Sequence, residues 1–232
     1  MSMTNGYAPL SFHNASHINV QNLAMQGPAW AVVSFIGGHH LTIRNCSMRW
    51  GQFAGISTGD VPNLHTTDDA IYYLARWGGP GTQHASIVNN LITQSATGLY
   101  LVGLATWQSS NHMLVAQNRF IDIDTENFYG NGDCHAIGVQ GGSHNLFEHN
   151  TIDGAGGITF YQGPDNKDGQ PPQEMHDNTV RYNTVANIVN LDQANQRKNQ
   201  HGIETGGETG GSQYSTCRAT SATTTRCTTT FW

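Results

Sequence analysis

The stretch Phe147-Glu148-His149-Asn150-Thr151-Ile152 is the clearest copy of the pattern that decides the fold. In it, two apolar residues flank a polar corner that contains asparagine. The corner recurs at positions 22, 45, 89, 117, 149 and 182, at spacings of 23, 44, 28, 32 and 33 residues. Self-similarity at a period of a few tens of residues is typical of a solenoid. We therefore predict that each repeat is one coil of a stacked β-structure.

The coil at residues 143–163 also predicts how each repeat folds. Phe147 and Ile152 are expected to point inward on either side of the corner. Ile158 and Phe160 are expected to point inward from a following strand, with Thr159 facing outward, because side chains alternate across a strand. Similar strands occur at 54–59, 97–102, 135–140 and 201–206. Stacked about 4.8 Å apart, they would form parallel sheets, and the corner asparagines would form a ladder of amide hydrogen bonds.

Five histidines form a second column in the repeat: His17, His40, His84, His112 and His144. Each lies three residues before the inward apolar residue of its coil, and we interpret them as a ladder of stacked rings. Metal ligation is the alternative, but the coil spacing exceeds what a shared ion needs, since zinc–nitrogen bonds are about 2.0–2.1 Å. We therefore expect no metal site in this column. Cys46 lies at a corner, where a small buried thiol is expected.

Composition argues against two classes of partner. The formal net charge is −6 and only two lysines occur, whereas nucleic-acid binding needs a basic surface. No apolar run approaches the roughly 20 residues that cross a bilayer. The N-terminus lacks the basic start and apolar core of a signal peptide. We expect neither a nucleic acid nor a membrane as partner.

Residues 216–232 are rich in threonine and lack the coil pattern. For some choices of codon, re-reading these residues in a shifted frame gives a text that resembles another coil. We therefore divide the chain into a parallel β-helix at 1–215 and a Thr-rich tail at 216–232. A slipped reading frame, which would make the chain a truncated fragment, is favoured over a genuine Thr-rich linker. The nucleotide sequence of the gene distinguishes the two.

The repeat pattern over about residues 10–207 resembles the right-handed parallel β-helix proteins of the pectate-lyase-like superfamily. The resemblance implies an all-β, right-handed parallel β-helix of about six to seven coils, and parallel crossovers are in any case strongly right-handed. It also implies a polysaccharide or oligosaccharide as partner, bound in a groove on one sheet face. Members include polysaccharide lyases, glycoside hydrolases, epimerases, phage tailspikes and adhesins. We expect a longer parent protein to be secreted or extracellular.

The alignment of the later strands predicts where chemistry takes place. Small glycines would hollow the sheet surface, and carboxylate, imidazole and phenol groups around such a groove can perform acid–base catalysis on a sugar chain. Ordinary solvated residues of a sheet are the alternative. The predicted columns are His135, Gly156 and His201, then Gly138, Thr159 and Glu204, then Gln140, Tyr161 and Gly206. We predict catalytic roles for Asp133, Glu204, His135 and His201, and substrate binding by Gln140 and Tyr161.

The run Gly132-Asp133-Cys134-His135-Ala136-Ile137-Gly138 is similar to the Gly-Asp-Asp-x-x-Ala-Ile-Gly stretch of polygalacturonases. This chain keeps one of the two aspartates, and the Gly-His-Gly and Arg-x-Lys of that family have no counterpart. The likeness implies that Asp133 acts as an acid. A lyase would need a cation to stabilise its enolate, and a calcium ion beside Asp122, Asp124 and Glu126 would supply one, although no calcium-loop spacing is present. We expect no cofactor for a hydrolase.

The interval between Gly59 and His84 is unusually long for this repeat. Insertions of this length in a solenoid usually line the binding face. Tyr72 and Trp77 are therefore expected to stack on sugar rings, with packing of the insertion onto the coils as the alternative. We expect a polysaccharide-degrading glycoside hydrolase. A polysaccharide lyase and a non-catalytic saccharide-binding protein, such as an adhesin or tailspike, are the alternatives.

Overall fold

The computed structural model describes residues 9–27, 31–51, 54–58, 81–95, 97–102, 110–123, 135–162, 176–188, 203–207, 215–221 and 224–229. Every regular element in these ranges is a β-strand, and three of the sheets are parallel throughout. The prediction of an all-β chain built from stacked parallel strands is confirmed. This arrangement is consistent with a parallel β-solenoid.

In the described residues, six repeats each contribute one strand to each of the three parallel sheets, and the first sheet has a seventh strand. The first sheet contains β1 (Leu10–His13), β4 (Ala31–Ile36), β7 (Ala54–Thr58), β10 (Thr97–Val102), β13 (His135–Gln140), β16 (Gly156–Gln162) and β19 (Ile203–Gly207). The second contains β2 (Asn19–Gln21), β5 (Thr42–Arg44), β8 (Ser86–Val88), β11 (Leu114–Ala116), β14 (Leu146–Glu148) and β17 (Thr179–Arg181). The third contains β3 (Ala24–Gln26), β6 (Ser47–Arg49), β9 (Leu91–Thr93), β12 (Arg119–Ile121), β15 (Thr151–Asp153) and β18 (Thr184–Ala186).

The residues predicted to point inward form the core. Phe147, Ile152 and Ile158 are 0% exposed, and Phe160 is 6% exposed. Most of their partners in register are apolar as well, although Phe160 pairs with Thr205 on β19, so the inward positions form columns of side chains. One column of the second sheet is Ile43, Ile87, Val115, Phe147 and Val180, and one of the third sheet is Met48, Ile92, Phe120, Ile152 and Val185.

A two-residue corner joins every second-sheet strand to the next third-sheet strand. Its first residue always has the left-handed backbone conformation, which few residues other than glycine, asparagine and aspartate adopt readily. The φ values are 58° at Asn22, 55° at Asn45, 55° at Asn89, 58° at Gln117, 55° at His149 and 57° at Tyr182. The predicted corner positions are therefore confirmed, and they align along the stack.

The second residue of the corner forms the predicted asparagine ladder. Asn90, Asn118 and Asn150 are at most 2% exposed. The Asn118 Nδ2 donates to the Ile87 carbonyl at 2.8 Å and to Asn150 Oδ1 at 3.0 Å, while Asn118 Oδ1 accepts from the N and Nδ2 of Asn90 at 3.0 Å each. The same pattern continues from Asn150 to Asn183. The side-chain amides therefore provide hydrogen-bond partners for the buried polar groups of the corner and connect each coil to both neighbouring coils.

Cys46 occupies the ladder position one coil before Asn90. It is 3% exposed, which confirms the prediction of a buried thiol. Its backbone N donates to Asn90 Oδ1 at 2.9 Å, and its Sγ lies 3.8 Å from the Val20 carbonyl oxygen.

The predicted Thr-rich tail overlaps a separate hairpin. Strands β20 (Ser215–Ser221) and β21 (Thr224–Thr229) pair antiparallel with each other, outside the three parallel sheets. The division at residue 215 and the frame slip stay predictions. Among the residues that the structure describes, no helix has the length and apolar character needed to cross a membrane.

Candidate functional site

The first sheet aligns the predicted site columns on three neighbouring strands, β13, β16 and β19. His135 pairs with Gly156, Gly138 with Thr159, and Thr159 with Glu204. A further column contains Gln140, Tyr161 and Gly206. The predicted columns are confirmed for those members that lie within the described strands. Two strand spacings separate β13 from β19, which places their backbones about 10 Å apart.

One contact joins two of these strands through their side chains. The Nδ1 of His135 and the Oγ1 of Thr159 form a 2.9 Å hydrogen bond. Either atom can donate, according to the tautomer of the imidazole. Because Thr159 is 7% exposed and belongs to a fixed strand, its hydroxyl sets the orientation of the His135 ring. Sequence reasoning placed Thr159 in the column but gave it no role.

The same column continues toward the N-terminus of the chain and contains residues that sequence reasoning missed. Tyr100 on β10 pairs with Gly138, and Ser34 on β4 pairs with Ser57 on β7. Tyr100 is 2% exposed and Ser34 is 8% exposed, although both alternate with core residues. The alignment of 97–102 with 135–140 was the signal that could have found Tyr100, since it places the phenol beside a glycine.

The other predicted residues are placed by their strands or lie elsewhere in the chain. The backbones of Gln140, Tyr161 and Glu204 lie on β13, β16 and β19. Asp133, His201, Tyr72 and Trp77 lie outside the described residues. Asp133 precedes the first residue of β13 by two positions and His201 precedes that of β19 by two. The structure thus brings four of the eight predicted positions onto neighbouring strands of one sheet.

All the long intervals between coil strands adjoin the first sheet. The intervals at 59–85, 103–113 and 163–178 follow β7, β10 and β16, and those at 122–134 and 187–202 precede β13 and β19. The corner between the second and third sheets keeps its two residues in all six repeats. Extra chain length therefore directly precedes or follows strands of the sheet that carries the site columns.

The described arginine side chains lie on the other two sheets. Arg44 Nε donates to Gln21 Oε1 at 2.7 Å on the second sheet. Arg181, also on the second sheet, forms an ion pair with Glu148 at 2.7 Å. Arg49 and Arg119 belong to β6 and β12 of the third sheet. Within the described part of the chain, these cations are on different sheets from His135 and Glu204.

The predicted histidine ladder is present on one edge of the solenoid. His17, His40, His84, His112 and His144 stack with ring centroids 5.1, 5.3, 4.6 and 4.9 Å apart and with interplanar angles of 19° or less. All five are left-handed, with φ between 52° and 59°. Desolvation lowers the pKa of His40 and His112, and the neighbouring imidazoles lower it further.

Comparison with known proteins assigns no family to this chain. No family model matches the sequence, and no curated protein or solved structure matches the chain.

Proposed function

We propose that the chain is a right-handed parallel β-helix of about six to seven coils that hydrolyses glycosidic bonds of a polysaccharide. The observation that carries the proposal is that three neighbouring strands of one sheet hold His135, Thr159 and Glu204: Thr159 pairs with Glu204, and its hydroxyl forms a 2.9 Å hydrogen bond with His135. Extra chain directly before or after strands of this sheet would supply the walls of a groove. A right-handed crossover is the form that parallel strands almost always adopt.

In the proposed mechanism, Asp133 is the general acid and Glu204 is the general base. Asp133 would protonate the glycosidic oxygen, while Glu204 would take a proton from a water that attacks the anomeric carbon. Attack by water on the face opposite the leaving group would invert the configuration at the anomeric carbon, which is the outcome in glycosidases whose two carboxyl groups are about 6.5–9.5 Å apart.

The remaining predicted residues would hold the sugar chain. His135, whose ring the Thr159 hydroxyl fixes, and His201 would bind hydroxyl groups close to the reacting bond. Gln140 and Tyr161 would contact the next sugar along their column. Tyr72 and Trp77 would stack on sugar rings from the interval at 59–85. Three aromatic rings, one side-chain amide and the tyrosine hydroxyls suit an uncharged or weakly charged polysaccharide.

The position of the arginines favours hydrolysis over elimination. A lyase needs positive charge beside the uronate carboxylate as the enolate forms. The four arginines with described side chains belong to the second and third sheets, and Arg181 is already paired with Glu148. Hydrolysis by carboxylates needs no such cation.

The test is a panel of plant and algal polysaccharides, incubated with the purified chain. Reducing ends report hydrolysis, and ultraviolet absorbance of unsaturated products reports elimination. We expect reducing ends without unsaturated products, and a loss of at least about 100-fold in Asp133→Asn and in Glu204→Gln, since general acid–base catalysis contributes about 10²–10⁴-fold. Unsaturated products would identify a lyase. Saccharide binding without turnover, unchanged in both variants, would identify a binding protein.

Asp153→Asn is the matched control for the two carboxylate variants. Asp153 lies on β15 of the third sheet, where its Oδ1 accepts a 2.7 Å hydrogen bond from Asn187 Nδ2. An asparagine keeps that acceptor and removes one negative charge away from the proposed groove. Activity equal to that of the unaltered chain is expected for this variant.

A further inference from the structure

The histidine ladder carries extra ligand atoms at two places, and these places have the same construction. Each consists of two successive ladder positions and the residue that precedes the second of them. One cluster is His17, His39 and His40, and the other is His144, His176 and Asp177. Within each cluster, the three ligand atoms lie within 4.8 Å of one another.

The distances within the clusters are close to those of a metal site. The Nδ1 atoms of His39 and His40 are 2.8 Å apart. Asp177 Oδ2 lies 2.8 Å from His176 Nδ1 and 3.8 Å from His144 Nδ1. Two ligands on a tetrahedral zinc ion, each bound at about 2.0–2.1 Å, are about 3.3 Å apart. The side chains are exposed, so small ring rotations suffice to bring all three atoms onto one ion.

The backbone of the first cluster is fixed by hydrogen bonds between coils. The His17 N donates to the His39 carbonyl at 3.2 Å, the His39 N to the Ala15 carbonyl at 3.1 Å, and the His40 N to the Gln83 carbonyl at 3.0 Å. The rings of His17 and His40 stack, and the His39 ring stands edge-on to both. The three imidazoles are therefore held on one side of the solenoid before any ion binds.

The intervening coils provide an internal comparison. The residue before the ladder position is His39 and His176 in the two clusters, but Gln83, Asn111 and Ser143 in the coils between them. His39 pairs with Gln83, and Gln83 with Asn111, so these residues occupy equivalent positions in the stack. In the described coils from His39 to His176, the residue before the ladder position is a histidine only at the two ends of the ladder.

The ladder spacing alone argued against a shared ion, but the residue before the second ladder position adds a ligand and brings three atoms within 4.8 Å of one another. We therefore propose that each of these clusters binds one divalent transition-metal ion of the zinc, nickel or copper type. Imidazole nitrogen suits these ions, whereas calcium and magnesium prefer oxygen ligands. The first site would use three neutral imidazoles, and the second two imidazoles and one carboxylate. An open fourth position would remain for water or for a group from a partner. The inference is independent of the proposed hydrolase activity, because the ladder lies between the first-sheet and second-sheet strands and shares no residue with the proposed groove.

The test is calorimetric titration of the full chain with zinc chloride after removal of bound metal with a chelator. We expect a stoichiometry of two, with no binding of calcium chloride. His39→Gln copies Gln83 and His176→Gln places the same residue at the equivalent position, and each should remove one zinc ion. Each should weaken binding at its own end by about 100-fold or more, since even outer partners of metal ligands contribute 10–100-fold. The double variant should bind no zinc at these concentrations.

His84→Asn is the matched control, because asparagine tolerates the left-handed backbone and the described residues offer no third ligand at this part of the ladder. It should keep both zinc ions. Cobalt(II) absorption provides a second readout, with a tetrahedral spectrum expected for the unaltered chain and none for the double variant. Equal losses in His84→Asn and His39→Gln would overturn the proposal, as would two zinc ions on the double variant. If the unaltered chain binds one zinc ion and only one of the two single variants loses it, the proposal holds only for the cluster that this variant alters.

Discussion

At the scale of single residues, the buried asparagines decide how tightly one coil holds the next. Each ladder amide donates to the preceding coil and accepts or shares hydrogen bonds with its neighbours, as Asn118 does with Ile87, Asn90 and Asn150. A buried polar group that loses its partner costs about 1–3 kcal/mol. Removing one ladder side chain therefore affects groups in two coils at once.

Asn118→Leu is expected to lower the free energy of unfolding by about 2–4 kcal/mol, because the Asn90 N–H and the Ile87 carbonyl would lose buried partners. Urea denaturation followed by circular dichroism measures the change. Asn89→Gln is the control: it copies Gln117 at the exposed corner position and should change stability by less than about 0.5 kcal/mol. Equal effects of the two substitutions would show that the buried ladder contributes little.

Cys46→Asn is expected to raise stability by about 1 kcal/mol, since a net hydrogen bond contributes about that amount. The Cys46 Sγ lies 3.8 Å from the Val20 carbonyl, where an asparagine Nδ2 would donate as Asn90 Nδ2 does to Ile43 at 3.0 Å. The new side chain would extend the ladder by one coil. Thermal denaturation measures the effect, and a lower melting temperature than that of the unaltered chain would contradict it. Cys46→Ala separates this gain from simple loss of the thiol.

At the scale of elements, the coils turn at left-handed corners of more than one kind. The asparagine-type corner and the histidine column were both predicted from residues that share a type and a spacing. A third left-handed corner follows the third-sheet strands, at Trp50, Gln94, Asp122, Gly154 and Asn187. The sequence offered no signal for it, because these five residues share no side-chain chemistry. Backbone hydrogen bonds between coils, such as Gln94 N to the Asp122 carbonyl at 3.0 Å, hold this corner instead.

The histidine ladder makes stability depend on pH. The pKa of His112 is lowered from 6.5 by desolvation and by the imidazoles of His84 and His144, which stack above and below it. Between the lowered pKa and 6.5, the unfolded chain therefore binds more protons at this position than the folded chain. The contribution of the folded ring is complete above 6.5 and is lost as the pH falls through the lowered pKa.

We expect the urea midpoint of the unaltered chain to decrease as the pH is lowered from 7.5 to 5. The decrease should be smaller in His112→Asn. A chelator in all samples excludes metal effects. The comparison of the two slopes isolates His112, because every other titratable group is common to both proteins. A steeper pH dependence in the variant would contradict the prediction.

At the scale of the whole molecule, burial is highest in the middle coils and lower toward the first and the later ones. At the inward position of the third sheet, Met48, Ile92, Phe120 and Ile152 are 0% exposed, whereas Met25 and Val185 at the two ends of the column are only partly buried. In a solenoid, each repeat contacts only its neighbours, so stability is a sum of local terms. Local opening should therefore begin at the less buried coils.

Native-state hydrogen exchange is expected to be slowest for amides of β10, β13 and β14, and at least about tenfold faster for β2 and β18. The reason is that the central strands are covered by coils on both sides, while the outer strands have partly buried neighbours. Mass spectrometry after proteolysis measures the exchange of each strand. Equal protection from β2 to β18 would instead indicate that the solenoid opens as a single unit.

The repeating parts of the molecule could be predicted from the sequence, whereas the residues in the long intervals could not. The period of the repeat predicted the corners, the ladders and the columns that contain His135, Thr159 and Glu204, because a strand register follows from equivalent positions. It gave no comparable guide to Asp133, Tyr72 or Trp77, which lie in intervals that follow no period. Asn89 and Asn90 were both plausible ladder residues, and only packing decided that Asn90 is the buried one.

The constant two-residue corner has a practical consequence for protein engineering. A peptide tag, fluorophore site or foreign binding segment inserted between β8 and β9, or at any equivalent corner, would interrupt the continuous row of amides. The same cargo placed after β7 or β10 would enter an interval whose length already differs from repeat to repeat. Such grafts would follow neighbouring strands of the first sheet, at increments of about 4.8 Å per strand.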